Sequence, residues 1–212
     1  MTISAITDFD KKRKKISLDD GRLIFLLYKG ECAKLRLREG GELGKEELFR
    51  IYEDILKPRV KKRAIYYLKA SDKTEKEVRR KLRESLYPEE LIDYALDFLR
   101  AHDFINDSRY AENYADEKKG RASKREILQK LRMKGVAREE IERIAESISD
   151  EDEYDICRRI LEKYIRGRDM KDYKEKARAF RYLISKGYSH EAIENALCAM
   201  EEETEESRGE DI

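Results

Sequence analysis

The side chains in this sequence with the clearest chemical capacity are lysines and arginines placed among tyrosines. The stretch RVKKRAIYYLK at residues 59–69 is one example. Cationic side chains that neutralise phosphates release counterions, which gives sequence-indifferent, salt-sensitive binding to nucleic acid. No segment combines Asn, Gln and Arg in the manner of a base-reading helix, so we do not expect sequence-specific recognition. The candidate partner-binding and nucleic-acid-binding residues are Arg59, Lys62, Arg63, Lys69, Arg79, Arg80, Arg83, Arg109, Lys118, Lys119, Arg121, Lys124 and Arg125.

Charge is distributed unevenly along the 212 residues, although the formal net charge is only +1. Residues 57–83 include twelve basic and three acidic side chains, and residues 118–134 include eight basic and one acidic side chain. Residues 201–212 carry seven acids and one arginine. This asymmetry favours recognition of a polyanion or an acidic protein. The alternative is that each basic run is only a solvated helix face.

The residue types that enzymes use are present without the spacing that chemistry requires. His102 and His190 have no cysteine or carboxylate at metal-ligand spacing, and no phosphate loop, nucleophile elbow or HExxH motif occurs. The three cysteines form no CxxC pair, and no apolar run is long enough to span a membrane. We therefore expect a cytoplasmic protein that is not an enzyme, has no cofactor or metal, does not contact a membrane, and is a monomer.

The elements that position these residues begin with a small β-element at 1–44. Asp20-Gly21 is a hairpin turn signal between β-favouring runs. Apolar residues alternate with basic ones at Ala33, Leu35 and Leu37, which is typical of a strand, so two to three strands are predicted. The cluster Gly40-Gly41-x-x-Gly44 is interpreted as a linker. A linking helix at 45–58 is predicted to end at Pro58.

The remainder of the chain repeats. The segments KLRESLYPEELIDYAL from Lys81, KLRMKGVAREEIERIA from Lys130 and YLISKGYSHEAIENAL from Tyr182 align, with an apolar helical stripe following each. The pattern predicts three-helix repeats at 59–105, 106–150 and 151–200, followed by an acidic tail at 201–212. The predicted fold is mainly α, with three tandem three-helix repeats in an elongated, curved array, a small N-terminal β-element and one leading helix.

Helix starts repeat as well. Thr74-x-x-Glu77 and Ser123-x-x-Glu126 are capping boxes, whereas the aligned positions in the third repeat hold Glu175 and Arg178. In the segment FINDSRYAE from Phe104, Asn106 or Asp107 is predicted to cap the next helix, and Ile105 to pack against Tyr110 as a hydrophobic staple.

Arg109 either pairs with an acid or faces outward. Reversing the charge of Arg121, Lys124 and Arg125 together is predicted to weaken binding without unfolding.

Three motifs resemble those of the RecX family of bacterial regulatory proteins. The first is matched by Arg63, Ala64, Tyr67, Leu68, Ser71, Thr74, Glu77, Val78, Lys81 and Leu82, and the second by Phe104, Ile105, Asn106, Asp107, Arg109, Tyr110 and Ala111. The third is matched, with slightly altered spacing, by Gly120, Ile127, Leu131, Lys134, Gly135 and Val136. Asn106 replaces an Asp that is common in the family.

The resemblance implies a regulator of the RecA recombinase. Such a protein would bind the RecA filament on single-stranded DNA and restrain its extension, ATP hydrolysis, strand exchange and co-protease activity. Weak binding to double-stranded DNA is also expected, and the acidic tail is hypothesised to compete for a polyanion site. Two alternatives remain open from the residues alone: a stand-alone, sequence-nonspecific nucleic-acid-binding protein, and a helical adaptor with no DNA contact.

Overall fold

The computed structural model describes residues 1–168, 170 and 172–209, with side chains at all of these positions except 20, 150–152 and 201–209. The chain divides into two compact units, Met1–Asp107 and Ser108–Ile212. The acidic side chains predicted to form a tail at 201–212 lie outside the described residues. The elongated, curved arrangement of the repeats stays a prediction.

The first unit begins with a three-stranded antiparallel sheet. Its strands are β1 (Ile3–Asp8), β2 (Arg13–Leu18) and β3 (Leu23–Tyr28), paired in that order. The Asp20-Gly21 pair lies in the turn between β2 and β3, where Gly21 has a φ of +89° that glycine adopts without steric cost. The predicted β-element and its turn are confirmed.

The strand predicted from alternation after β3 is wrong, because Lys29–Lys34 form a short helix, α1. Arg36 has a φ of +53°, so the chain turns instead of extending. The Leu37 N–H donates to the Cys32 carbonyl at 3.1 Å and closes the end of the helix. Leu37 also packs against the core. The alternation of apolar residues therefore results from burial, although the segment is not a strand.

The glycine cluster after α1 pairs with the sheet, so its interpretation as a linker is wrong. The Gly40 N–H donates to the Ile3 carbonyl at 2.8 Å, and the Ile3 N–H donates to the Gly41 carbonyl at 2.9 Å. A Cβ at Gly41 would lie 2.9 Å from the Arg38 carbonyl oxygen. Glycine therefore allows this segment to cover the edge of β1, which would otherwise expose unpaired backbone groups.

The leading helix continues past Pro58, contrary to the prediction that it ends there. Helix α2 (Lys45–Arg50) passes through a π-helical stretch at Ile51–Leu56 into α3 (Lys57–Leu68). The Lys57 N–H donates to the Tyr52 carbonyl, five residues back. Pro58 has no N–H to donate, and its ring is tolerated because it lies in the first turn of α3.

The sheet shares one hydrophobic core with α3, α4 (Glu75–Glu84) and α5 (Glu89–Ala101). Fully buried side chains of this core include Phe25, Leu27, Leu56, Leu82, Leu96 and Leu99. The first three-helix group is thus packed on the sheet, and α3 is held against β3.

The chain then forms two further groups of three helices, as predicted. The second group is α6 (Asp107–Lys118), α7 (Lys124–Lys134) and α8 (Arg138–Ser147). The third group is α9 (Asp150–Tyr164), α10 (Tyr173–Lys186) and α11 (His190–Gly209). Each group has its own cluster of buried side chains.

The three groups share the same corner between their second and third helices. One leucine in each is fully buried: Leu82, Leu131 and Leu183. Its carbonyl accepts the N–H of the residue five positions later, from Tyr87 at 3.2 Å, Val136 at 3.1 Å and Tyr188 at 3.2 Å. The residue immediately before each of these N–H donors has a left-handed backbone, with φ of +57° at Leu86, +86° at Gly135 and +92° at Gly187. These features are those of a Schellman-type helix end, and they confirm the repeat.

The predicted caps of α4 and α7 are present. Thr74 Oγ1 accepts the Glu77 N–H at 3.4 Å, and the Thr74 N–H donates to the Glu77 carboxylate at 3.3 Å. Ser123 Oγ accepts the Glu126 N–H at 3.2 Å. Both capping side chains are buried, so their hydrogen bonds replace water at the helix start.

In the third group the cap lies three residues earlier than the alignment suggests. The Asp172 carboxylate accepts the Lys174 N–H at 2.9 Å and caps α10. The cap of α10 therefore lies three residues, nearly one turn, before Glu175, the residue that aligns with Thr74. Comparison of sequence offsets alone misses this extension because it assumes helices of equal length.

Asp107 lies at the end of the first unit and contacts the start of α4. Helix α6 begins at Asp107, so Asn106 occupies the predicted cap position. The Asp107 carboxylate accepts the Glu75 N–H at 2.9 Å, at the start of α4. Burial raises the pKa of Asp107. Ile105 is buried in the first core, and its predicted staple stays a prediction.

Candidate nucleic-acid and partner interface

Helix α3 carries the largest group of candidate residues. Val60 and Ala64 are fully buried, so the helical period directs the intervening basic residues away from the core. Arg59, Lys62 and Arg63 line a cleft of about 310 Å³ that α3 forms with β2, β3 and the α4–α5 corner. We call this the first-unit cleft.

The first-unit cleft combines cationic and aromatic side chains. Its cations are Arg13, Arg59, Lys62 and Arg63, and its tyrosines are Tyr28, Tyr66 and Tyr87. Tyr66 is 60% exposed and Tyr28 is 44% exposed, whereas Tyr87 is half-buried. Burial raises the pKa of Tyr87, so it remains a neutral phenol near neutral pH.

Arg59 holds the cleft together. Its Nη1 donates to the Leu26 carbonyl at 3.2 Å, its Nη2 forms an ion pair with Glu31, and its guanidinium lies 4.7 Å from the centre of the Tyr28 ring. These contacts join α3 to β3 and α1. Arg59 therefore serves the fold as well as the charge of the cleft.

The remaining cations of the cleft differ in how far they are neutralised. Arg13 forms an ion pair with Asp10 at 2.7 Å. The Arg63 Nε donates to the Tyr67 hydroxyl at 3.0 Å, which leaves its terminal nitrogens available. Among the described residues, Lys62 and Arg63 have no carboxylate partner. These two side chains are thus the ones best placed to meet an anion.

The predicted cations of α4 are all engaged with acids. Arg79 donates to Glu89 at 3.0 Å and to Asp93 at 2.6 Å. Arg80 pairs with Glu84, and Arg83 pairs with Glu89. The hydrogen bond from Arg83 lowers the pKa of Glu89, so this acid stays charged. An anionic partner would have to compete with these carboxylates.

Two of the predicted binding residues lie outside the first-unit cleft and outside the group of paired arginines on α4. Lys69 is exposed directly after α3, and Arg109 is exposed on α6.

The basic residues between α6 and α7 form a looser surface. The Lys118 ammonium pairs with Glu117 at 2.7 Å and lies 5.7 Å from the centre of the Tyr114 ring. Lys119, Arg121 and Arg125 are exposed.

Lys124 differs from its neighbours, because its ammonium donates to the Ile148 carbonyl at 2.9 Å and the side chain is half-buried. It joins the start of α7 to the end of α8. The expectation that Lys124 can be reversed in charge without structural cost is therefore corrected, and its substitution tests stability together with binding.

Sequence reasoning missed the contribution of the sheet to this interface. Arg13 and Tyr28 are Cα partners across β2 and β3 and line the same cleft as α3. The basic run KKRKK at 11–15 was a signal for this site. Pairing with α3 could not be read from it, because the contact depends on how the helix packs against the sheet.

The histidines have ordinary surroundings. The His102 ring stacks with Phe104 at 5.9 Å and His190 contacts Phe180 at 5.1 Å, and both histidines are exposed. Within the described ranges, no three His, Cys, Asp or Glu side chains are grouped as metal ligands. In the same part of the chain, no helix has the length and apolar character needed to cross a bilayer.

The three groups of three helices define this chain as a helical-repeat protein. Its segments match three family models in order: RecX, first three-helix domain, at residues 61–99; the second at 106–143; and the third at 150–197.

Relatives of known name and solved structures agree with these models. The chain is 32% identical over 200 residues to regulatory protein RecX of Clostridium beijerinckii, covering 93% of each. It is 30% identical to that of Caldanaerobacter subterraneus subsp. tengcongensis, covering 93% of this chain and 98% of the relative. A crystal structure of regulatory protein RecX superposes with a TM-score of 0.62 at 25% identity, covering 91% of this chain and 97% of that one. RecX from Lactobacillus salivarius, 23% identical, has the same fold with a TM-score of 0.63, covering 69% of this chain and 97% of that one.

The chain belongs to the RecX family of regulatory proteins.

Proposed function

We propose that this protein binds the RecA filament on single-stranded DNA and inhibits its extension, ATP hydrolysis, strand exchange and co-protease activity, in DNA repair and SOS control. The observation that carries the proposal is the presence of all three RecX helical domains in their order. In this proposal the protein acts in the cytoplasm as a monomer without catalysis. Its partners are the RecA filament, single-stranded DNA and, more weakly, double-stranded DNA.

The exposed cations support an electrostatic contribution to this binding. Lys62 and Arg63 in the first unit and Arg121 and Arg125 in the second are directed to solvent. A RecA filament presents the same protomer surface and the same DNA backbone many times. Linked domains that engage such a polymer gain affinity through effective concentration, so individually weak contacts add up.

A second candidate function is stand-alone, sequence-nonspecific binding to nucleic acid. The observation that favours it is the first-unit cleft, where two cations have no carboxylate partner among the described residues and lie beside exposed tyrosines. In that case the effects on RecA would follow only from competition for DNA.

RecA-driven ATP hydrolysis on single-stranded DNA separates these functions. The protein is titrated at concentrations well below that of RecA. Inhibition by substoichiometric protein supports action on the filament. Inhibition only when the protein is sufficient to cover the DNA refutes filament action and supports competition for DNA. No inhibition at any ratio refutes both and leaves the helical adaptor.

A variant pair tests whether charge in the second unit contributes. Arg121→Glu with Arg125→Glu is expected to raise the concentration for half-maximal inhibition several-fold, because both side chains are exposed. Arg138→Glu is the control, since this arginine is also exposed and pairs with Glu142 on the outer face of α8. The pair changes the net charge by four and the control by two, so the effects are compared per reversed charge. An equal effect per reversed charge would show that only net charge matters.

A further inference from the structure

The first-unit cleft has a lining that suits a particular kind of anion. Its lining residues include four cations and no carboxylate. The carboxylates that pair with Arg13 and Arg59 lie outside the lining, at Asp10 and Glu31. These two arginines are therefore partly neutralised, and the excess positive charge in the cleft comes from Lys62 and Arg63.

The tyrosines of the cleft add a second kind of contact. The Arg63 guanidinium lies 5.4 Å from the centre of the Tyr66 ring, and Tyr66 is 60% exposed. An exposed ring beside a cation can accept a flat group by stacking, and such stacking is tolerant of base identity. A volume of about 310 Å³ falls at the lower end of the range of ligand sites, roughly 300–1,000 Å³.

We propose that the first-unit cleft binds one nucleotide of single-stranded DNA, with the phosphate on Lys62 and Arg63 and the base against the Tyr66 ring. This assignment deepens the proposed function and rests on it for its biological setting, although the contact itself can be measured without RecA.

The arrangement of donors fits a phosphate. The Lys62 ammonium has no hydrogen bond, ion pair or ring contact within the described part of the chain. The Arg63 Nε is taken by the Tyr67 hydroxyl, which orients the guanidinium and leaves its two terminal nitrogens to bind oxygen. A tether of this kind reduces the side-chain entropy lost when an anion binds.

A single strand fits the cleft better than a duplex or an acidic peptide. Bases in a duplex are stacked on each other, whereas unpaired bases can be turned out onto an aromatic ring. An acidic peptide would satisfy the cations but would leave the Tyr66 ring without a flat partner. The combination of cations and exposed tyrosine thus favours a nucleotide.

The test measures binding of a labelled oligothymidylate by fluorescence anisotropy, without RecA and over a series of salt concentrations. Lys62→Gln is expected to lower the slope of log affinity against log salt by about 0.7, the value for one phosphate contact on a single strand. Tyr66→Leu is expected to weaken binding by about fivefold to a hundredfold, the range for loss of one stacked base.

Matched controls lie in the second unit. Lys130→Gln removes the same charge from another exposed lysine, and Tyr173→Leu removes a tyrosine that is 82% exposed. Far-ultraviolet circular dichroism checks that all four variants are folded, which is expected because none of these side chains is buried. Losses from the cleft variants that equal those of their controls would overturn the proposal.

Two further probes decide the chemistry of the ligand. An abasic strand of the same length should bind Tyr66→Leu and the unchanged protein equally, and a loss as large as with oligothymidylate would exclude the base contact. Polyglutamate at matched charge should displace the labelled strand poorly. Displacement as strong as that by unlabelled oligothymidylate would assign the cleft to an acidic polypeptide and overturn the proposal.

The two proposals fail in different ways. Cleft variants that lose DNA binding as described, in a protein that never inhibits RecA, would refute the proposed function and uphold the cleft. Cleft variants that keep full DNA binding, in a protein that inhibits RecA at substoichiometric ratios, would refute the cleft alone.

Discussion

Gly187→Ala is expected to destabilise the second unit because two separate penalties coincide at this corner. Gly187 has a φ of +92°, a conformation that costs an L-residue about 1–2 kcal/mol. A Cβ there would also lie 2.8 Å from Ser123 Oγ. That oxygen is buried, accepts the Glu126 N–H at 3.2 Å and donates to the Lys186 carbonyl at 2.8 Å.

Gly120→Ala separates the two penalties. Gly120 has a φ of +78°, and nothing lies within 4 Å of a Cβ built there. Its substitution should cost about 1 kcal/mol, because the left-handed strain is partly offset by the lower entropy of the unfolded chain. At Gly187 the Ser123 hydroxyl must move as well. Loss of the cap and of the buried hydrogen bond adds about 1 kcal/mol each, for a total of about 3 kcal/mol.

Urea unfolding followed by far-ultraviolet circular dichroism measures both changes. In a Ser123→Ala background the close contact is absent, so Gly187→Ala should then cost only about 1 kcal/mol. Equal destabilisation by Gly187→Ala and Gly120→Ala, or the full cost in the Ser123→Ala background, would refute the role of the serine contact.

Three further outcomes follow from the contacts in each unit. Thr74→Ala should lower the free energy of unfolding by about 1–2 kcal/mol in urea titrations, because a buried cap of α4 is lost, whereas Thr74→Ser should retain most of it. Asp107 has a raised pKa from burial, so its contribution to stability is present below the ordinary Asp pKa and declines as pH rises through the raised value. Asp107→Asn keeps an oxygen acceptor for the Glu75 N–H and should reduce this decline in thermal melts over acidic pH; an unchanged pH profile would contradict this interpretation. Lys124→Ala should lower the melting temperature of the second unit by calorimetry because the Ile148 carbonyl loses its donor, and a temperature equal to that of Arg121→Ala would argue against this contact.

The repeats illustrate how far local sequence can predict structure. The aligned segments around Leu82, Leu131 and Leu183 carry a helical apolar period within a dozen residues, and this period correctly predicts the three-helix repeats. The alignment predicts no capping box at Glu175 and Arg178 in the third repeat, and it does not reveal Asp172 as the cap, because an extra turn in α10 moves the cap away from the aligned position without disturbing the apolar stripe.

Alternation of apolar residues was a weaker guide near the N-terminus. Leu35 and Leu37 both pack against the core, yet the left-handed Arg36 between them prevents a strand. Burial by tertiary contact can thus produce an apparent period of two over a few residues. The prediction that the leading helix ends at Pro58 was wrong because the sequence does not distinguish a proline that ends one helix from a proline in the first turn of the next.

The chain of residues by itself determined the helical repeats, their caps in the first two groups, the hairpin turn and the resemblance to one family, because each of these depends on neighbours within a few turns. Tertiary structure decided which cations remain available. Arg79 and Lys62 are both basic residues on amphipathic helices. Folding brings Glu89 and Asp93 to Arg79, whereas the residues that line the cleft around Lys62 include no carboxylate. Coulombic interactions act through space, so the free charge of a surface emerges only when distant segments meet.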